Sequence, residues 1–236
     1  MLSALALAGP GTAPSATVLV EQPTYLGFLH QLRMIGLHAL TVPLDGDGPQ
    51  LDTFERLLAE RRPRVFYTIP TYQNPTGVCA TLERRQAVAK LARDYGCVLI
   101  EDDLYALLSY AGAPPTPLKA LDSENVIYVN SFSKTLMPGL RLGYLVAPVA
   151  LRERLAALRL ATDLGSPLLT QRALATFLRN GGLRRHLRRV VRGAAHRPYL
   201  ARLLALPDPE PDGSVAQLPL ATRVGRVRRE HVLHRV

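Results

Sequence analysis

A single lysine, Lys134, stands among small hydroxyl residues in Ser131-Phe132-Ser133-Lys134-Thr135-Leu136-Met137-Pro138-Gly139-Leu140-Arg141-Leu142-Gly143, with an arginine seven positions on. The lysine amine can condense with an aldehyde. Ser131, Ser133 and Arg141 can hold a phosphate, a dianion that favours charge-assisted donors. Together they suit a phosphorylated aldehyde. The competing reading is a polar turn with a surface lysine, and a surface strand arginine at 141.

The elements that would carry these residues are strand ends. The apolar run Val126-Ile127-Tyr128-Val129-Asn130 precedes the lysine stretch and reads as a buried strand. Asn74-Pro75-Thr76-Gly77 follows the run Val65-Phe66-Tyr67-Thr68-Ile69. Glu101-Asp102-Asp103-Leu104-Tyr105 follows Cys97-Val98-Leu99-Ile100. Each polar motif thus lies just past a predicted strand, where open α/β sheets place their ligand sites. Asn74 also reads as a turn starter, since Asn-Pro favours turns.

These strand ends, in this order, resemble the aspartate-aminotransferase superfamily of pyridoxal-phosphate enzymes (fold type I). The Glu-Asp-Asp and Ser-Phe-Ser-Lys-Thr-Leu-x-Pro-Gly-Leu-Arg wording is similar to a subgroup of 2-aminoadipate-type transaminases and aminotransferase-like domains of GntR-family (MocR-type) regulators. The resemblance covers roughly residues 17 to 205 and implies an α/β fold. The expected architecture is the three-layer α/β/α, mostly parallel sheet of the cofactor-binding large domain, present in part. The implied cofactor is pyridoxal 5′-phosphate. Lys134 would hold it and, once freed, shuttle a proton. Asp102 would pair with the pyridine nitrogen, and its Asp-x-x-Tyr spacing to Tyr105 selects it over Glu101 and Asp103. Asn74 and Tyr105 would donate to the ring 3′-oxygen. Ser131, Ser133 and Arg141 would hold the phosphate. Tyr25, in Glu21-Gln22-Pro23-Thr24-Tyr25, matches the aromatic that stacks on the ring, although it also reads as a core aromatic.

The resemblance further implies an amino acid and a 2-oxo acid as substrates and a homodimer with shared active sites. It leaves two alternatives: a cofactor-binding effector domain of a MocR-type regulator, or an inactive fragment. Two family parts find no match. Gly9-Pro10-Gly11-Thr12 does not reproduce the small-residue phosphate loop, and Arg223, Arg226 and Arg228 stand in unmatched sequence where a substrate-carboxylate arginine would be sought. The chain is therefore expected to be truncated at both ends.

Composition bounds these readings. The chain has 236 residues, 47% hydrophobic and 20% charged, which suits a globular protein with a real core. No apolar run approaches the roughly 20 residues of a membrane span. The start Leu2-Ser3-Ala4-Leu5-Ala6-Leu7-Ala8 lacks a preceding basic residue and reads poorly as a secretion signal. Cys79 and Cys97 form no C-x-x-C pair and read as reduced thiols, which with the rest points to the cytoplasm. The net charge of +10 is concentrated: residues 1–150 hold 12 Lys and Arg against 13 Asp and Glu, residues 151–236 hold 17 against 6. The basic half lacks interleaved aromatics and a recognisable DNA-binding motif. It reads as a solvated helix face, Leu183 to Arg192, rather than a nucleic-acid surface.

In chain order, residues 1–16 read as a disordered tail, and 17–150 as the cofactor-binding domain. Residues 151–205 read as a helical connection, and 206–236 as an unmatched basic tail. Within the second segment, strands are expected at 17–20, 38–43, 64–69, 97–100, 126–130 and 142–147. A turn is expected at 45–49 and a loop over 111–122. A helix follows Tyr25 to about Gly36. Another runs over 52–62, with Asp52 as N-cap and Glu55 as its capping-box partner. A third starts at Thr81, with Leu82, Val88, Ala89 and Leu91 on its apolar side, and stops at Gly96. Helices are expected over 149–160, 167–180 and 183–204. Strands alternating with helices predict parallel pairing.

Overall fold

The structure, a computed structural model, describes residues 17–109, 115–165 and 167–195. The tails expected at 1–16 and 206–236, and the end of the last expected helix from 196 on, lie outside the described residues, as does the start of the 111–122 loop, residues 111–114.

The strands are β1 (Thr17–Gln22), β2 (His38–Asp45), β3 (Gly48–Pro49), β4 (Val65–Thr68), β5 (Val98–Asp102), β6 (Val126–Ser131) and β7 (Gly143–Val146). The helices are α1 (Leu26–Met34), α2 (Leu51–Arg61), α3 (Leu82–Asp94), α4 (Leu118–Leu121), α5 (Phe132–Thr135), α6 (Val149–Asp163), α7 (Leu168–Arg179) and α8 (Gly182–Ala195). The seven strands form one sheet in the order β3-β2-β1-β4-β5-β6-β7. β2, β1, β4, β5 and β6 are parallel, while β3 and β7 pair antiparallel at the two edges.

The antiparallel edges depart from the uniform parallel expectation for a simple reason. Parallel neighbours need a crossover of a dozen or more residues. β2 and β3 are joined by two residues, so that part of the expected 45–49 turn becomes a hairpin. Between β6 and β7 the chain has room only for the four-residue α5 and a 3₁₀ turn at Pro138–Leu140.

Strand alternation sorts the core onto two faces. Val18, Val20, Tyr67, Ile100 and Ile127 pack on one face against Phe28 and Leu32 of α1 and Leu155 of α6. Leu19, Phe66, Leu99 and Val126 pack on the other against Phe54, Leu57 and Leu58 of α2, Val88, Ala89 and Ala92 of α3, and Leu118 of α4. This is the expected α/β/α sandwich.

Three local expectations are corrected. Helix α2 is capped by Gln50, whose carbonyl accepts from Phe54 N at 3.0 Å, with no side-chain cap. Asp52 sits inside the first turn, where its charge still suits the helix dipole, and the Asp52–Glu55 capping box does not form. Thr81 does cap α3, its hydroxyl accepting from Arg84 N. The apolar side of α3, however, does not include Leu82, which is exposed, but does include Arg85. The 111–122 loop contains the short helix α4.

Arg85 is 1% exposed. Its Nε donates to Ala80 O at 2.9 Å, and its Nη2 donates to Pro70 O at 2.6 Å and to Thr71 Oγ1 at 3.0 Å. Its Nη1 lies 3.9 Å from Glu101 Oε1, and both side chains are fully buried. Such a pair resists removal of one partner, because the other charge is left buried and alone. Arg85→Met should therefore lower stability by about 3–5 kcal/mol at pH 8, read as a loss in urea midpoint, and adding Glu101→Gln should recover part of it. Equal stability of Arg85→Met and the wild type would show the pair to be dispensable.

Candidate active site

The polar motifs gather at the C-terminal ends of the parallel strands. The strand order turns from β2 to β4 on either side of β1, so the crevice of this sheet opens at the β1 and β4 tips.

The Glu101-Asp102-Asp103 run ends β5, and alternation deals its members to different surroundings. Glu101 points to the α3 and α4 face, where it accepts from Leu118 N and Lys119 N at 2.8 Å each, beside Arg85. Asp103 accepts from Tyr128 Oη at 2.9 Å. Asn130, from β6, anchors the same corner by donating to Asp103 O at 2.7 Å and accepting from Ser131 N at 2.6 Å. Asp102 points to the opposite face and accepts from Tyr67 Oη at 2.6 Å. Its Oδ1 is buried and has no hydrogen-bond partner. Asp103 also keeps one such oxygen, with Thr71 and Arg85 nearby to offset its charge. Among the described residues Asp102 makes no ion pair.

Burial pushes both aspartates above the usual carboxylate range, and the Tyr67 and Tyr128 hydroxyls pull back against it. Burial, together with the neighbouring Asp102 charge, holds the Tyr67 phenol protonated far above its ordinary value. Tyr67 is fixed from behind by Phe28, whose ring stacks on it at 3.8 Å and 14°. Asp102 is thus a rigidly held acid with one oxygen left to meet a donor. That is what a cationic ring N–H requires, and the residues present fit the pyridine end of the implied cofactor.

Lys134 lies in α5, and its Nζ sits 5.8 Å from the centroid of the Tyr105 ring. The lysine is exposed. It stands on a short turn after the last parallel strand, where nothing among the described residues covers it. Ser131 caps that turn, its Oγ accepting from Ser133 N at 3.0 Å. Among the described residues the Ser133 side chain makes no hydrogen bond. Arg141 is exposed, takes a left-handed backbone at φ 48°, and its side chain makes no contact with an acid among the described residues. Asn74 is partly buried, in the loop between β4 and α3, and its amide has no hydrogen-bond partner among the described residues. The Tyr25 ring folds over its own helix start, where a Cβ on Gly27 would lie 2.3 Å from Tyr25 Cζ. Its hydroxyl is close enough to Tyr67 to raise it.

The structure therefore brings Asp102 onto Tyr67, Lys134 over Tyr105 and Ser133 onto Ser131. Among the described residues Asn74 and Arg141 make no hydrogen bond or ion pair with the others. Sequence reasoning missed Tyr67, Glu21, Gln73 and Arg85. Tyr67 was hidden inside an apolar run. Glu21 had a visible signal, an acid directly after Val-Leu-Val at a strand end, as at Glu101. Glu21 is 1% exposed. It accepts from the Thr68 hydroxyl, from Ile69 N at 3.0 Å and from Gln73 Nε2 at 3.0 Å. Cys79 and Cys97 are free thiols, and burial pushes Cys97 up to about 12. Among the described residues there is no helix long and apolar enough to cross a membrane, and no cluster of His, Cys, Asp and Glu suited to a metal ion.

The chain belongs to the aminotransferase class I and II family, whose model matches residues 3–210. It is 38% identical over 184 residues to the 2-aminoadipate transaminase of Thermus thermophilus, covering 75% of this chain and 46% of that protein. It is also 38% identical over 173 residues to the HTH-type transcriptional regulator YisV of Bacillus subtilis, covering 73% of this chain and 36% of that protein. The solved structure of LysN, an alpha-aminoadipate aminotransferase of Thermus thermophilus complexed with N-(5′-phosphopyridoxyl)-L-leucine, superposes with a TM-score of 0.73 at 36% identity. It covers 81% of this chain and 49% of that one. The chain spans about half or less of the length of the curated relatives it matches.

Burial raises Glu21 from 4.5 to about 7, against the pull of its three donors. Between those values the folded state keeps a proton that the unfolded chain has released. Stability is therefore full below the unfolded value and is lost as pH rises through the folded one. Asp102, Asp103 and Glu101 are raised as well and act in the same direction. The ligand-free protein should be less stable to urea at pH 8 than at pH 5, with Glu21 alone contributing roughly 2–3 kcal/mol of the fall. Glu21→Gln should flatten the slope, and a urea midpoint that rises over this window would contradict the assignment.

Proposed function

We propose that this chain carries the cofactor-binding portion of a pyridoxal-phosphate aminotransferase, moving an amino group from an amino acid to a 2-oxo acid. The observation that carries the reading is Asp102, a partly buried acid at a strand tip with one buried, unpartnered oxygen. The neighbouring strand places the Lys134 amine against Tyr105. Bound there, the cofactor supplies an electron sink for the carbanion formed at the substrate Cα.

The chain's own residues would act around it as follows. Asp102 meets the pyridine nitrogen and keeps it protonated, with Tyr67 fixing the carboxylate's orientation. Lys134 holds the aldehyde carbon and afterwards carries a proton on Nζ. Tyr105 and Asn74 donate to the ring 3′-oxygen, Tyr25 covers a ring face, and Ser131, Ser133 and Arg141 take the phosphate. Residues 17–150 would be the cofactor-binding part and 151–205 the connection toward a second domain. A homodimer would cover leucines such as Leu164, Leu168 and Leu169, which are more than half exposed. We place the protein in the cytoplasm, and we assign it no membrane or nucleic-acid partner.

A second reading, a cofactor-binding domain of a transcriptional regulator, is favoured by the similarity to YisV. Pyridoxal phosphate added to the purified full chain should give a new visible absorbance band and a borohydride-stable adduct. Both should be absent in Lys134→Ala, and affinity should fall roughly tenfold or more in Asp102→Asn, about the worth of one charge-assisted hydrogen bond. Addition of amino acids should then convert the band if the chain turns over and leave it unchanged if it only senses. Equal uptake by wild type and Lys134→Ala would defeat both readings.

A further inference from the structure

The Asn74 loop, from Pro70 to Ala80, is closed at its neck by Ala80 N donating to Pro70 O at 2.8 Å. Its interior is filled by one side chain, that of Gln73, which is 3% exposed. Gln73 Oε1 accepts from Thr76 N at 2.9 Å and from Thr76 Oγ1 at 2.7 Å. Gln73 Nε2 donates to Pro23 O at 2.7 Å and to Glu21 Oε2 at 3.0 Å. Every hydrogen-bonding atom of this amide is therefore used, and its orientation is set from both ends. The Glu21 oxygen that Gln73 meets accepts, and once ionised the carboxylate accepts only, so it sets the NH₂ group toward β1. The carbonyl oxygen is then left to Thr76, two residues past Asn74.

Glu21 reaches across the opening of the sheet. The β1–β4 ladder has Val20 opposite Tyr67 as its last pair. Beyond that pair the Glu21 side chain replaces the ladder by taking the Thr68 hydroxyl and Ile69 N. Through Gln73 it fixes two segments at once. One is the Asn74 loop. The other is Pro23, two residues before Tyr25. These are the two groups the proposed function sets on the edge and the face of one ring.

We propose that Glu21 is a positioning residue that orients Asn74 and Tyr25 around the ring of a bound cofactor, acting through the Gln73 amide. The proposal rests on the pyridoxal-phosphate reading. Glu21 touches neither substrate nor cofactor, and its effect is one of geometry: it removes the freedom of two otherwise loosely held groups before the ligand arrives.

Glu21→Gln separates this role from packing. The substitution keeps the side-chain volume, and its carbonyl still accepts from Thr68 and Ile69. Its NH₂ group, however, faces the NH₂ of Gln73, and turning Gln73 over would cost the Thr76 bonds. In the ligand-free full chain, amide hydrogen exchange over residues 73–78 should speed up about tenfold, the worth of one hydrogen bond, with β4 unchanged. In the protein loaded with pyridoxal phosphate, the pH midpoint of the visible band should move by about half a unit or more. The shift should have the same sign as in Asn74→Ala, with little further shift in the double variant, as coupled sites require. Gln73→Met breaks the same link from the loop side and should shift both readouts the same way should Glu21→Gln fail to fold. Unchanged loop exchange in Glu21→Gln overturns the proposal. So does faster exchange with an unmoved midpoint, which would make Glu21 structural only. A wild-type chain that takes up no pyridoxal phosphate defeats the proposed function instead, and the exchange measurement alone then decides whether Glu21 holds the loop.

Discussion

Three buried carboxyl groups, Glu21, Glu101 and Asp103, and a partly buried fourth, Asp102, stand at the C-terminal ends of parallel strands, and the architecture of this corner follows from how each is satisfied. Removing such a charge from water costs several kcal/mol unless donors or a counter-ion replace the solvent. Glu101 has a guanidinium and two backbone N–H groups, and Glu21 has a hydroxyl, a backbone N–H and an amide. Asp103 has a phenol, with Arg85 near. Asp102 has a phenol and an oxygen that meets nothing. Satisfaction is thus richest on the face covered by α2, α3 and α4 and poorest at Asp102, on the other face. A donor from outside would gain most where the protein has supplied least, which is at Asp102.

The two-residue period of a strand produces this division. Three acids in succession cannot share an environment, because each step turns the side chain to the opposite face. The outer two face the helices that bury Arg85. The middle one is left among Tyr67, Phe28 and the crevice. The buried arginine has a second effect: by holding Pro70, Thr71 and Ala80 it clamps both ends of the loop that carries Asn74. Charge neutralisation below the sheet tips and placement of a site loop are therefore one set of contacts.

The strand-end motifs and their order were legible because polar residues stand out after an apolar run: Lys134, Asp102 and Asn74 each follow one. The parallel core followed from alternating strands and helices. The edge pairings did not, since a short linker between apolar runs fits a turn as well as a hairpin. The buried partners were harder still. Arg85 has a surface residue's sequence context on α3, and only the surrounding carbonyls and Glu101 explain its burial. Tyr67 reads as one more apolar strand residue, because its hydroxyl finds its partner 35 positions away. Long-range polar pairs leave no periodic trace, and both of these are of that kind.

The two sides of the site differ in how firmly they are held. Asp102, Tyr67 and the Asn74 loop rest on parallel strands with both faces covered. Lys134 and Arg141 rest on a four-residue helix, a 3₁₀ turn and the edge strand β7, all four of whose residues are exposed. Exposed, hydrated charges carry no burial cost, so this half of the corner needs no buried partners. The acid half is held by contacts inside the sheet, and the basic half stands on turns at its edge.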